Sequence, residues 1–342
     1  MSTGDDRLDP DVRRFTEAVM RESARLRGAG ARDLAEARAI AERVRAPWRA
    51  GGPAMAVTRE VELACAVGAL RLRLYLPAAP ARPLPVLLYL HGGGWCMFSI
   101  DTHDRLMREY AAAAGIAVLG VDYALAPEHR FPVALEQIGE ALAWLRASAP
   151  AFGIDPLRIA LGGDSVGANM ALATALRQRD AGTSAGLRAL LLNYGGYDPV
   201  MPAGDRALLG AEGAMLTAAE MDGYWHDYLG PHDPARVPAL AAPLRAALHG
   251  LPPALLVAAE RDLLYGQSVE LARRLWAAGG TAALRAYAGA AHSFLEAMSV
   301  APLARRAIAE SADWLRGRLF AGDEEDGGSD PAQAGESPED AR

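Results

Sequence analysis

From Pro85 onward the chain alternates short apolar runs with stretches of helical periodicity, and this rhythm narrows the possible folds more than any other feature. The runs fall at residues 86–90, 117–121, 159–162, 187–193, 254–259 and 283–287. Strands so continuously apolar are buried on both faces, which happens when helices cover both sides of a parallel sheet. Between them lie segments such as 133–147, where Leu135, Ile138, Leu142 and Leu145 step by three and four. That is the strand-helix-strand pattern of a parallel sheet. Ahead of it, residues 60–67 and 70–76 flank Gly68-Ala69 and read as an antiparallel hairpin. The expected architecture is α/β: a mostly parallel, doubly wound, eight-stranded sheet opened by that hairpin.

Two regions break the rhythm. Asp9-Pro10 reads as a helix cap and first helical position, with Val12, Phe15 and Val19 at helical spacing, so residues 1–52 are a helical prelude ending in a Pro- and Gly-rich linker. Later, about 60 residues separate two strands where one helix would suffice. Residues 199–249 are therefore an insertion, whose Met215, Met221, Tyr224, Trp225 and Tyr228 suggest helices with one apolar face. Insertions at the carboxyl ends of such strands are where ligands bind. Residues 53–198 and 250–320 are the main body, the two helical regions an accessory cap, and 321–342 an acidic tail expected to be disordered.

That tail explains the charge. The formal net charge is -7. Eight acids and one arginine follow Phe320, so the tail carries all of it and the body is neutral. A neutral body offers no basic stripe for nucleic acid and no polybasic patch for a membrane anchor. Two cysteines, Cys65 and Cys96, are too few for a disulfide framework and lack metal-ligand spacing. The first six residues are acidic where a secretory signal would be basic, and no apolar run reaches the roughly 18 residues of a membrane span. A cytoplasmic protein is the expectation.

Gly163-Asp164-Ser165-Val166-Gly167 sits between the run ending at 162 and a helical stretch, 166–179. A serine there stands exposed on a sharp strand-to-helix turn that small flanking residues permit. The pentapeptide alone arises by chance in roughly one such chain in eight, so its setting matters more than its letters. His91-Gly92-Gly93-Gly94-Trp95, directly after the run 86–90, is far more specific, at about one chain in a hundred. Consecutive glycines let backbone N–H groups face the oxygen of a tetrahedral intermediate. Gly93, Gly94 and Val166 are the expected oxyanion donors. A serine nucleophile needs a base and an orienting acid, which this kind of fold supplies in the order serine, acid, histidine. Asp262 and His292 follow the runs 254–259 and 283–287 in that order. Glu260 and Asp198 are rival acids, and His103, His226, His232 and His249 read as solvated or structural. Asp101, His103 and Asp104 lack the companions a metal would need.

These residues resemble the hormone-sensitive-lipase-like family of bacterial esterases, an α/β-hydrolase family. The likeness runs from about residue 74 to 315 and takes in Asp122-Tyr123, Pro127-Glu128-His129 and Phe131-Pro132. It implies carboxylesterase activity on short-chain esters without cofactor or metal, the triad Ser165, Asp262 and His292, and a cap built from the first helices and the insertion. In that family His91, Asp122, Tyr123 and Glu128 match residues that brace the oxyanion loop. Ala168 and Leu263 depart from the family pattern, and Phe98 stands where a glycine is usual, which would narrow the acyl pocket. Trp95, Phe98, Tyr197 and Trp225 are the expected pocket.

Acyl transfer or deacetylation in biosynthesis would use the same residues with another acceptor. A non-catalytic small-molecule receptor on this fold would have lost the histidine, and His292 is present. A homodimer is compatible with the fold.

Overall fold

The computed structural model describes residues 7–28, 33–78 and 83–321. The acidic residues from 322 onward and the first six residues lie outside them.

The chain opens with α1 (Pro10–Arg27) and α2 (Leu34–Arg45). Asp9 caps α1 by accepting from the Asp11 and Val12 N–H groups at 3.0 and 3.1 Å, and Pro10 loses nothing at a position whose N–H has no helical partner. The sheet begins with the hairpin β1 (Val57–Cys65) and β2 (Gly68–Leu76). Cys65 pairs with Gly68, so the turn is Ala66-Val67, two residues before the expected Gly68-Ala69. Cross-strand register outweighs the glycine signal here.

There follow β3 (Leu84–Leu90), α3 (Asp104–Ala114), β4 (Ala117–Asp122), α4 (Val133–Ser148), β5 (Ile154–Asp164), α5 (Val166–Asp180) and β6 (Leu187–Asn193). The inserted region holds α6 (Ala203–Leu209) and α7 (Ala218–Leu229), and the chain closes with β7 (Ala254–Ala259), α8 (Tyr265–Ala277), β8 (Ala282–Tyr287) and α9 (Pro302–Leu319). One eight-stranded sheet has the order β1-β2-β4-β3-β5-β6-β7-β8, antiparallel at β1/β2 and β2/β4 and parallel elsewhere. This is the α/β-hydrolase fold. β5 starts at Ile154 rather than near residue 158, because Pro156 interrupts the apolar pattern without ending the strand.

Every residue of β3 and β7 is buried. Their side chains alternate into two cores, one under α4, α5 and α8 and the other under α3 and α9. Each fully buried leucine contributes about 1.5–3 kcal/mol. The helical additions have no separate core: Val12, Phe15, Val19, Ile40 and Val44 join the α3/α9 side, while Met221, Trp225 and Tyr228 join the other. Both regions are thereby packed onto the sheet above the carboxyl ends of β3, β5, β7 and β8.

Candidate active site

β5 runs straight into the turn, Ser165 adopts φ 55°, and α5 begins at Val166. A Cβ on Gly163 or Gly167 would collide with the Leu90 carbonyl, so the two glycines let the turn press against the end of β3. Ser165 N–H donates to Asn193 O at 2.9 Å, fixing the turn to β6. Above it, Ser165 Oγ is 3.1 Å from His292 Nε2, and His292 Nδ1 is 2.7 Å from Asp262 Oδ2. The carboxylate holds the imidazole proton on Nδ1 and leaves the Nε2 lone pair to accept the serine hydroxyl. Asp262 Oδ1 accepts from Leu264 N–H at 3.0 Å. Burial disfavours the imidazolium, yet the charge and hydrogen bond of Asp262 outweigh it and hold the His292 pKa above its ordinary value. The rival Asp198 is bonded to Arg245 instead, at 2.6 and 2.8 Å.

Gly93 and Gly94 line the same cavity as Ser165 and His292. Among the described residues neither N–H has an acceptor, and Val166 N–H, at the first turn of α5, has none within its helix. Gly93 and Gly94 thus bring two N–H groups without acceptors to the wall of the cavity that Ser165 also lines. Tyr224 from α7 lies so close over Gly94 that a Cβ there would meet its ring.

The loop is braced from below. Tyr123 O–H donates to His91 O at 2.8 Å and its ring stacks on His91 at 4.2 Å. His91 Nδ1 is 2.7 Å from Gly92 O. Burial and the neighbouring His103 keep His91 below the usual histidine range. Asp122 accepts from Ile100 N–H at 3.1 Å and from Arg71 at 2.9 Å. Glu128 touches the loop only indirectly, for it is half exposed and chelates Arg38 of α2 at 2.8 and 2.7 Å. It is Arg38 that donates to Cys96 O at 2.7 Å and Ala126 O at 2.9 Å.

The sequence reading missed the strongest brace. Asp164, the variable position inside the serine motif, is buried. Its Oδ1 accepts from Tyr89 O–H at 2.8 Å and Gly92 N–H at 3.1 Å, and its Oδ2 is 3.2 Å from His103 Nε2. Burial opposes its charge, but His103 and these hydrogen bonds hold its pKa below the usual carboxylate range, as Asp164 in turn holds His103 above its own. His103 is thus a buried ion-pair partner and not a solvated loop residue.

The cavity measures about 290 Å³. Phe98 lines it, with φ 70°, and so do Val19, Met97, Met215, Met221 and Tyr224. Trp95, Tyr197 and Trp225 do not. All three are sealed in the core, with Trp95 stacked on Tyr228 at 4.2 Å and against Trp225 at 4.6 Å. Trp95 and Trp225 pack ring against ring with each other and Tyr228 inside the core, which withdraws them from the void. Among the described residues no three His, Cys, Asp or Glu side chains converge as a metal would require. No helix among them is long and apolar enough to cross a membrane.

A family model described as the alpha/beta hydrolase fold matches residues 87–296. The chain belongs to the α/β-hydrolase family. Within it, this is a hormone-sensitive-lipase-like carboxylesterase. A hyperthermophilic esterase from the archaeon Pyrobaculum calidifontis is 28% identical, with 92% of this chain and 99% of that one covered and a TM-score of 0.83. A thermostable esterase from Pseudomonas putida is 30% identical over 93% and 99%, with a TM-score of 0.81. A thermostable carboxylesterase cloned from a metagenomic library is 34% identical over 84% and 98%, with a TM-score of 0.79. Both helical regions of this esterase line the cavity, the first through Val19, Ile40 and Val44 and the second through Met215, Met221 and Tyr224.

Proposed function

We propose that this enzyme hydrolyses short-chain carboxylic esters in two steps on Ser165, under a cap formed by α1, α2, α6 and α7. His292 Nε2 takes the hydroxyl proton as Oγ attacks the carbonyl carbon. Asp262 steadies the imidazolium that results, and the N–H groups of Gly93, Gly94 and Val166 receive the oxyanion. His292 then protonates the leaving alcohol, and water, deprotonated by the same nitrogen, releases the acid. His91, Asp122 and Tyr123 keep the oxyanion loop in register.

The observation that carries this reading is the unbroken chain Asp262–His292–Ser165, opening into a cavity that Gly93 and Gly94 also line. A volume of about 290 Å³ sits at the small end of the roughly 300–1,000 Å³ of ligand pockets, which suits short acyl groups. The same proposal makes this a cytoplasmic enzyme, since both cysteines are free. The test is hydrolysis of 4-nitrophenyl acetate and butyrate with an initial burst of nitrophenol. Ser165→Ala should abolish it, and wild-type turnover no faster than that variant would reject the proposal.

A further inference from the structure

Arg27, Arg45 and Glu220 are charged side chains of the cavity wall, and of these three Arg45 is the one that is buried. Arg45, the last residue of α2, lines the cavity although it is only 6% exposed. Its Nε lies 2.8 Å from Glu296 Oε2 but makes no hydrogen bond, and its guanidinium lies 5.0 Å from the Phe98 ring and 5.9 Å from Phe15. Among the described residues neither Nη group has an acceptor, and neither is sealed off as Nε is.

Seven residues earlier on the same helix, Arg38 spends its fork on Glu128 and two backbone carbonyls. Arg45 spends none of its own. A cation this deeply placed is costly unless its donors are met. Glu296 offsets the charge, and the fork with no acceptor belongs to a side chain that lines the cavity also lined by Ser165 and His292. The neighbours point the same way. The Tyr224 hydroxyl, with its ring against Gly94, lies within the electrostatic reach of Arg27 and Arg45, and Arg27 stands at the rim. Glu220 also lines the cavity, but its carboxylate is turned back to the Thr217 N–H and hydroxyl at 2.9 and 2.8 Å.

We infer that the natural substrates are esters bearing a carboxylate, received by the two Nη groups of Arg45, for a planar guanidinium matches a carboxylate in a bidentate manner. This rests on the esterase reading above and names its substrate class. The anionic group can belong to the acyl or to the alcohol part, and two substrate pairs separate these. 4-Nitrophenyl hydrogen glutarate against 4-nitrophenyl valerate places it on the acyl side. O-Acetylmandelate against its methyl ester places it on the alcohol side.

At about pH 8, where carboxylates are ionised, kcat/KM should favour the anionic member of at least one pair by about tenfold. Arg45→Met should erase that preference, and Arg45→Lys should retain part of it. Arg45→Met with Glu296→Gln removes both charges, so a stranded carboxylate cannot cause the loss, and thermal melts establish that each variant is folded. If neither variant folds, inhibition of wild-type butyrate ester hydrolysis decides: glutarate should inhibit better than valeramide. A wild type that prefers the neutral member of both pairs overturns the inference, as does a preference that survives in folded Arg45→Met, or glutarate no better than valeramide. If no ester turns over above Ser165→Ala, the esterase reading is what fails, and calorimetric binding of glutarate still decides whether Arg45 receives a carboxylate.

Discussion

Asp164 ties the nucleophile turn to the oxyanion loop, so its removal should damage stability and turnover together. Truncation in Asp164→Ala leaves Tyr89 O–H, Gly92 N–H and the His103 ring without their acceptor in a site closed to water. Each stranded buried donor costs about 1–3 kcal/mol, so the three come to about 3–9 kcal/mol, a large share of the usual 5–15 kcal/mol of a domain. Asp164→Asn keeps the shape and the two bonds to Oδ1 and loses only the charged partner of His103, which should cost about 1–2 kcal/mol. Turnover responds through Gly92, because the next two residues are the proposed oxyanion donors. Complete loss of one such donor costs about 100- to 1,000-fold in kcat, so a loop that is loosened but still present should lose about 10- to 100-fold in Asp164→Ala, with KM little changed. Urea unfolding and 4-nitrophenyl butyrate kinetics measure both quantities. If Asp164→Ala stayed within about 1 kcal/mol and threefold of wild type, the brace would be refuted.

Two further outcomes are expected. The acid limb of kcat/KM should have its midpoint above the ordinary histidine value of about 6.5, because Asp262 raises the His292 pKa and only the neutral imidazole accepts the serine proton; activity rises as pH climbs through that midpoint. Asp262→Asn should move the midpoint down, and an unmoved midpoint in an active variant would detach Asp262 from His292. Phe98 lines the cavity at a left-handed φ that glycine adopts without strain, and we propose that its ring limits the acyl length. Rates on 4-nitrophenyl esters should therefore fall beyond four acyl carbons in wild type and extend to longer chains in Phe98→Gly, whereas parallel chain-length profiles would clear Phe98 of that role.

The sheet was legible because parallel strands buried on both faces are written as plain apolar runs, and the two glycine motifs follow such runs directly. Asp262 and His292 were found by order along the chain, a constraint that needs no contact information. What stayed hidden was hidden for a physical reason. Asp164 occupies a position where the motif is indifferent, and only the pairing of β3 with β5, which brings Tyr89 and Gly92, and the packing of the start of α3, which brings His103, surround it. Phe98 was placed correctly in the pocket, but the other three aromatics were misplaced because hydrophobicity tells that a side chain is buried and not whether it borders a void. Trp95, Tyr197 and Trp225 fill the core, while Met215, Met221 and Tyr224 are part of the wall.

Arg45 shows the same limit from the polar side. In a chain whose 35 basic residues are all arginine, no single one stands out, and helical spacing alone would send Arg38 and Arg45 to one solvated face. Packing gives them opposite fates. Arg38 crosses to Cys96 O beside the oxyanion loop, and Arg45 meets Glu296 four residues beyond His292. A helix that precedes every strand thereby reaches the segments that carry both the proposed oxyanion donors and the proposed base. Its arrangement can change which esters enter without touching a reacting atom, so substrate choice and catalysis in this enzyme rest on separable sets of residues joined through α2.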